Sequence, residues 1–265
     1  MATLTRNTVG TVTLLGDERR PGGVTFAFTE RSGGVSRGPW SSLNLGDSCG
    51  DDPACVQENR RLALAALSPS ARLDLLVNPV QVHGDTVVSV TSADSMSVAA
   101  AQAAARAGAD AVVVGVPGVP VLLCYADCVP VIIVADGGFA VAHSGWKGTY
   151  ARISAKAAGI LASVAGASPS TMRAYIGPHI LGSEYTVGDD LAARFSEEFG
   201  PCAVVGERNV DLGACIAAAL VDAGLDPANI CDPQLSCFSN PERFFSYRAS
   251  GGTCGRHGAL AIMEG

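Results

Sequence analysis

One cysteine and two histidines stand where an apolar chain has little other use for them. Cys128 lies in Ala126-Asp127-Cys128, between the runs Val121–Cys124 and Val131–Ala135. His143 follows a third run, Phe139–Ala142, and His83 ends Gln81-Val82-His83-Gly84. Cys and His are the donors that zinc prefers, and three of them with an open fourth position are a catalytic-type set. The spacing matches no local zinc-finger pattern, so the set forms only if the fold brings distant segments together. Asp127 adds a carboxylate beside the thiol, and burying an unpaired charge is costly. Three roles are open to it: orienting a ligand histidine, shuttling a proton, or capping a turn. Cys128 alone also reads as a small packing hydrophobe.

The elements that must position these residues are short. Apolar runs of this length, bounded by Gly and Pro, read as buried strands. Asp136-Gly137-Gly138 suits a tight hairpin turn between two of them, and folding back there brings Cys128 and His143 to one open end. Pro130 cannot donate to a ladder and is expected to interrupt it. Further strands are expected at Val24–Thr29, Leu75–Val77, Thr86–Val90, Ala111–Val114, 173–177 and Ala259–Met263. Helices are expected over Val56–Leu67 behind Asp52-Pro53, Ser97–Ala107, Thr149–Val164, Val187–Phe199 and Asn209–Ala223. The Gly/Ser segment from Arg31 to Gly46 carries Val35, Trp40, Leu43 and Leu45, which argues for a packed loop. Strands and helices do not alternate regularly, so the expected fold class is α/β of the α+β kind. It is read as one domain over 24–265, mixed sheets flanked by helices, after a partly ordered lead-in at 1–23.

Composition narrows the function classes. Of 265 residues, 48% are hydrophobic and 16% charged, which excludes a disordered chain. A net charge of −7, with no basic cluster beyond Glu18-Arg19-Arg20 and Asn59-Arg60-Arg61, argues against a nucleic-acid or anionic-membrane surface. No apolar run reaches spanning length and the N-terminus lacks a signal-peptide core, so the expectation is cytoplasmic. Nine scattered cysteines then read as free thiols, Cys49 and Cys55 included.

Seven motifs taken together resemble one family. They are Phe28-Thr-Glu-Arg-Ser-Gly-Gly-Val-Ser, Ser42-Leu-Asn-Leu-Gly, Gln81-Val-His-Gly, Ala126-Asp-Cys-Val-Pro, Ala142-His-Ser-Gly-Trp-Lys-Gly, Ile176-Gly-Pro and Phe245-Ser-Tyr-Arg. In this order they resemble the laccase-domain family, first named multicopper polyphenol oxidases and later described as purine nucleoside phosphorylases. The resemblance runs from Val24 to Ile262 and departs at Cys237-Phe238 and Ala249, where Cys-Thr and a second Arg are usual.

The resemblance implies zinc held by His83, Cys128 and His143, the trio the residue types also suggest. It implies phosphorolysis of adenosine, inosine or methylthioadenosine, with adenosine deamination as a further activity. The expected partners are a purine nucleoside and phosphate, on a monomer or small homo-oligomer. Asn44 is the candidate for sugar or base contacts, and Arg31, Lys147 and Arg248 are the candidates for phosphate. Two other readings stand beside this one. A copper-dependent phenol oxidase would need more imidazoles than the four histidines leave once one His₂Cys centre is made. A structural metal would need a fourth protein ligand, for which Cys124 is the nearest candidate.

Overall fold

The computed structural model describes residues 2–265. In chain order its strands are β1 (Thr5–Val9), β2 (Val12–Gly16), β3 (Val24–Thr29), β4 (Val87–Val90), β5 (Ala111–Val114), β6 (Val121–Tyr125), β7 (Val129–Ala135) and β8 (Gly138–Ser144). Then follow β9 (Arg173–Ile176), β10 (Val204–Val205), β11 (Asn209–Val210), β12 (Ile230–Cys231) and β13 (His257–Met263). The helices are α1 (Pro53–Leu67), α2 (Ser95–Arg106), α3 (Trp146–Tyr150), α4 (Ile153–Ala165), α5 (Asp189–Phe199) and α6 (Leu212–Asp222). No helix among the described residues is long and apolar enough to cross a membrane.

Two large sheets face each other. One is five-stranded in the order β1-β2-β3-β13-β6, and the other six-stranded in the order β12-β9-β7-β8-β5-β4. The second is mixed: β4 with β5 and β9 with β12 run parallel, and the remaining pairs antiparallel. The period-2 alternation of strand side chains decides the layers. Ile132 and Val134 of β7 point into the core between the sheets with Phe26, Phe28 and Tyr175, while Val131 and Ile133 point outward against α4 and α6. On the other sheet Ala259 and Ala261 of β13 face inward, and Leu260 and Ile262 pack outward with Leu64 and Leu67 of α1. The result is helix, sheet, sheet, helix, with both faces of the central strands dry. That is why these strands read as continuous apolar runs instead of alternating ones.

Several boundaries differ from the sequence expectation. Residues 5–16, expected as part of a partly ordered lead-in, form a hairpin that extends the five-stranded sheet through Leu14 and Leu15 against Thr29 and Phe28. Gly10, at φ 60, makes the turn. Leu75–Val77 makes only a single bridge, Val77 to Val121. The helix expected over Thr149–Val164 begins earlier and is cut in two by Arg152, at φ 56. Asp211 caps α6 through the Ala214 amide, so Asn209 and Val210 are left to a short strand. Pro130 does not break β7; it stands in register opposite His143. Its carbonyl accepts from Gly177, and an absent donor at the strand's start leaves the ladder intact. All nine cysteines are free.

Candidate metal centre

Three segments deliver the donors. The β7–β8 hairpin places Cys128 just before one strand and His143 near the end of the other. The loop before β4 delivers His83, at φ 58. The Nδ1/Nε2 and Sγ donor atoms of His83, Cys128 and His143 all lie within 4.8 Å of one another, the only such group among the described residues. The two imidazoles meet edge to face with their centroids 4.8 Å apart.

Gly145 explains why this space is open. A Cβ there would stand 3.1 Å from the Cys128 Sγ, 3.1 Å from the His83 ring and 3.9 Å from the His143 ring. Any side chain at 145 would fill the space the three donors share. The donor types and the room that Gly145 leaves fit a metal ion, which these three groups would hold.

The residue that builds the centre is Asp110, which was not among the expected site residues. It is fully buried at the start of β5. Its Oδ1 lies 2.8 Å from His143 Nδ1 and accepts the His83 amide at 3.0 Å. Its Oδ2 accepts the amides of Val82 at 3.2 Å and Gly84 at 2.7 Å. One carboxylate therefore folds the His83 loop around itself and fixes the His143 ring, leaving Nε2 to face a metal. Burial opposes its ionisation, but His143 and the amides of Gly84 and His83 outweigh that and hold its pKa below the usual carboxylate range. Burial likewise disfavours charge on Cys128 and His143. Their mutual attraction prevails, lowering the thiol's pKa and raising the imidazole's, so the thiolate form that metals require is favoured.

Asp127 does not serve the metal ligands. It has φ 94, an unusual angle for a non-glycine residue, and its side chain turns to a distant segment. Oδ1 accepts the Ser246 hydroxyl at 2.5 Å, and Oδ2 accepts the Arg248 amide at 2.7 Å. Of the three roles open to Asp127, orienting a candidate ligand falls to Asp110 instead, because the side chain of Asp127 turns to Ser246 and Arg248.

A cavity of about 520 Å³ opens over the three donors. Trp146, Tyr185 and Tyr247 give it aromatic walls, and Asp47, Arg60 and Arg256 line it together with Cys124. Among the substrate residues expected from sequence, Arg248 borders this cavity, whereas Asn44, Arg31 and Lys147 do not. Asn44 is fully buried, with its amide bonded to Gly46, Asp51 and the Arg256 backbone. Arg31 binds the carbonyls of Ser41 and Pro241 and stacks on Phe245. Lys147 is exposed beside Trp146. Cys124 points its thiol at the Leu45 carbonyl, 3.4 Å away, and is not part of the donor group. His179 and His257 are fully buried elsewhere, each with one ring nitrogen near a backbone carbonyl.

Residues 25–264 match the family model described as multi-copper polyphenol oxidoreductase laccase. A protein of Deinococcus radiodurans named purine nucleoside phosphorylase is 37% identical over 89% of this chain and 88% of its own. A protein from an unknown prokaryotic organism named adenosine deaminase RL5 is 35% identical over 87% of this chain and 90% of its own. The crystal structure of YlmD from Geobacillus stearothermophilus superposes with a TM-score of 0.87 at 28% identity, covering all of both chains. The fold, the ordered motifs and these matches lead to one statement: the chain belongs to the family described as multi-copper polyphenol oxidoreductase laccase, whose relatives here carry the names of purine nucleoside enzymes.

Proposed function

We propose that this protein is a zinc-dependent purine nucleoside phosphorylase with adenosine deaminase activity at the same site. The observation that carries the reading is a three-donor centre with an open side, set in the wall of a nucleoside-sized cavity. Zinc is the metal that a Cys and two His suit best, and when bound it supplies Lewis acidity at that open side. The relatives named as purine nucleoside phosphorylases and as an adenosine deaminase support the substrate class.

The chain's own residues do the rest. Tyr185, Tyr247 and Trp146 offer faces on which a purine can stack. Asp110 holds the His143 ring and the His83 loop rigid, so the metal ligands need no reorganisation during reaction. Asp127 fixes the segment that carries Arg248, and Arg248 is the proposed contact for phosphate. In phosphorolysis a phosphate oxygen forms the new bond to the ribose anomeric carbon. The glycosidic C–N bond breaks with its electron pair going to the base, which takes up a proton. The gain comes from holding the two reactants in line.

A multicopper oxidase is disfavoured by donor supply. The described residues form one three-donor group, and the other two histidines are buried away from it.

The test is incubation of zinc-loaded protein with adenosine, with and without phosphate. Adenine and ribose 1-phosphate should appear only with phosphate, and Cys128→Ala should abolish both product and zinc binding while the circular dichroism spectrum is kept. Phosphate-independent release of inosine alone would leave a deaminase. Oxygen uptake with a phenol in copper-loaded protein, and no nucleoside turnover, would overturn the proposal.

A further inference from the structure

We propose that Arg60 and Arg256 form a phosphate-binding subsite in the cavity beside Cys124. Both side chains line the cavity that holds the three metal donors, and neither belongs to the donor group or to the segment that Asp127 holds.

Each guanidinium is anchored by backbone carbonyls. Arg60 rises from α1, and its Nε donates to the Leu45 carbonyl at 2.9 Å. The Cys124 thiol faces that same carbonyl from 3.4 Å. The Arg60 side chain is only 11% exposed, and its Nη2 is buried with no hydrogen-bond partner. Asp47 lies 3.2 Å from that nitrogen without hydrogen-bond geometry, and the same carboxylate oxygen is shared with Arg106 at 3.2 Å. Arg256 is held by its Nη1, which donates to the carbonyls of Cys254 at 2.8 Å and Gly255 at 2.9 Å. Its stem presses on Gly46, where a Cβ would stand 2.6 Å from the Arg256 Cγ. Burial pushes the Cys124 thiol up to about 11 while Arg60 and Arg256 both pull it down, so the two cations act on one point of the wall.

Charge and chemistry then name the ligand class. Arg60 and Arg106 share the Asp47 carboxylate, and Arg256 acts on the neighbouring Cys124 without a carboxylate partner of its own among the ion pairs of the described residues. This is a local reversal in a chain of net charge −7. A buried guanidinium N–H whose only nearby acceptor is a shared, poorly aligned carboxylate gains from a better acceptor, and forked guanidinium donors match the oxygens of a phosphate. The phosphate can be the inorganic co-substrate or the 5′-phosphate of a nucleotide occupying the cavity. Only the first source rests on the phosphorolysis reading above.

The experiment titrates zinc-loaded, full-length protein with inorganic phosphate, AMP and adenosine by calorimetry at fixed ionic strength. Wild type is compared with Arg256→Gln and with Arg60→Lys, which keeps the charge and packing of α1 but loses the fork. Adenosine affinity in each variant reports that the cavity is still formed. The expected result is a weakening of about tenfold or more for a phosphate ligand in both variants, with adenosine within about twofold. A loss seen with inorganic phosphate identifies the co-substrate site, and a loss confined to AMP identifies a nucleotide site. Equal binding of both phosphates in all three proteins, or no binding of either to wild type at millimolar concentration, overturns the subsite. Phosphate binding without nucleoside turnover would instead sink the enzymatic reading and leave the subsite standing.

Discussion

Asp110 and Asp127 are both carboxylates set in an otherwise apolar stretch, both close to the metal donors, and they do different work. Asp110 is fully buried and binds the amides of Val82, His83 and Gly84 together with the His143 ring. Asp127 is half-buried, lies next to the candidate donor Cys128 in sequence, and binds Ser246 and Arg248 instead. The first joins two ligand-bearing segments to each other. The second joins the ligand-bearing turn to a segment over the cavity. Proximity to a ligand along the chain is thus a poor guide to which acid serves the metal; the groups the fold brings round each carboxylate decide.

The sharpest way to break this contrast is Asp110→Ala. It would leave three amides and an imidazole without their acceptor, and losing one partner from a buried charged cluster costs about 3–5 kcal/mol. Zinc affinity should fall about 10–100-fold or more, the range for groups that orient metal ligands. Equilibrium unfolding and metal titration check both, and unchanged zinc affinity would remove Asp110 from the centre.

A second expectation concerns the core beneath the site, where neither acid reaches. His257 is fully buried, and burial lowers its pKa from the ordinary 6.5 to about 4. The unfolded chain therefore binds this proton first. Its contribution to stability is complete above about pH 6.5 and is lost as the pH falls toward 4, up to about 3 kcal/mol. Urea unfolding between pH 7 and 4.5 should show that extra loss in wild type and not in His257→Phe.

Asp127→Asn sharpens the contrast from the other side. Zinc content should be unchanged, because no ligand depends on this carboxylate, while the Michaelis constant for substrate rises by about tenfold as the Ser246–Arg248 segment loosens. Loss of zinc in this variant would erase the distinction between the two acids. The smallest effect is expected for Arg248→Ala, which should raise the Michaelis constant for phosphate by a few-fold and leave that for nucleoside nearly unchanged. Equal effects on both would take Arg248 out of phosphate binding.

Much of the framework was legible because it depends on short-range rules. The apolar runs became β5, β7, β8 and β13 within a few residues, Asp52-Pro53 began α1, and Gly166, at φ 63, ended α4. The errors fall where local pattern competes with tertiary demand. Arg152 takes a left-handed conformation in the middle of a helical pattern, and the hairpin at 5–16 is fixed by pairing to β3 across the chain.

For the site, the sequence by itself named the three candidate donors that the fold brings together. Cys128 and His143 flank one hairpin whose turn chemistry is written in Asp136-Gly137-Gly138, and His83 stands before a glycine in a turn, expected at a strand's end and found in the loop before β4. These are properties of residue type and local conformation. The tertiary structure alone decided that Asp110 is the organising acid, that Asn44 and Arg31 brace the loop that begins the motif, and that Arg60 and Arg256 face the cavity. Each of those assignments depends on which backbone amides, carbonyls and rings surround a polar side chain. Asp110 meets the His83 loop, Asn44 meets the amide of Arg256, and Arg31 meets the carbonyl of Pro241. A polar group acquires its role from partners that long-range folding supplies, and neither composition nor periodicity encodes those meetings locally.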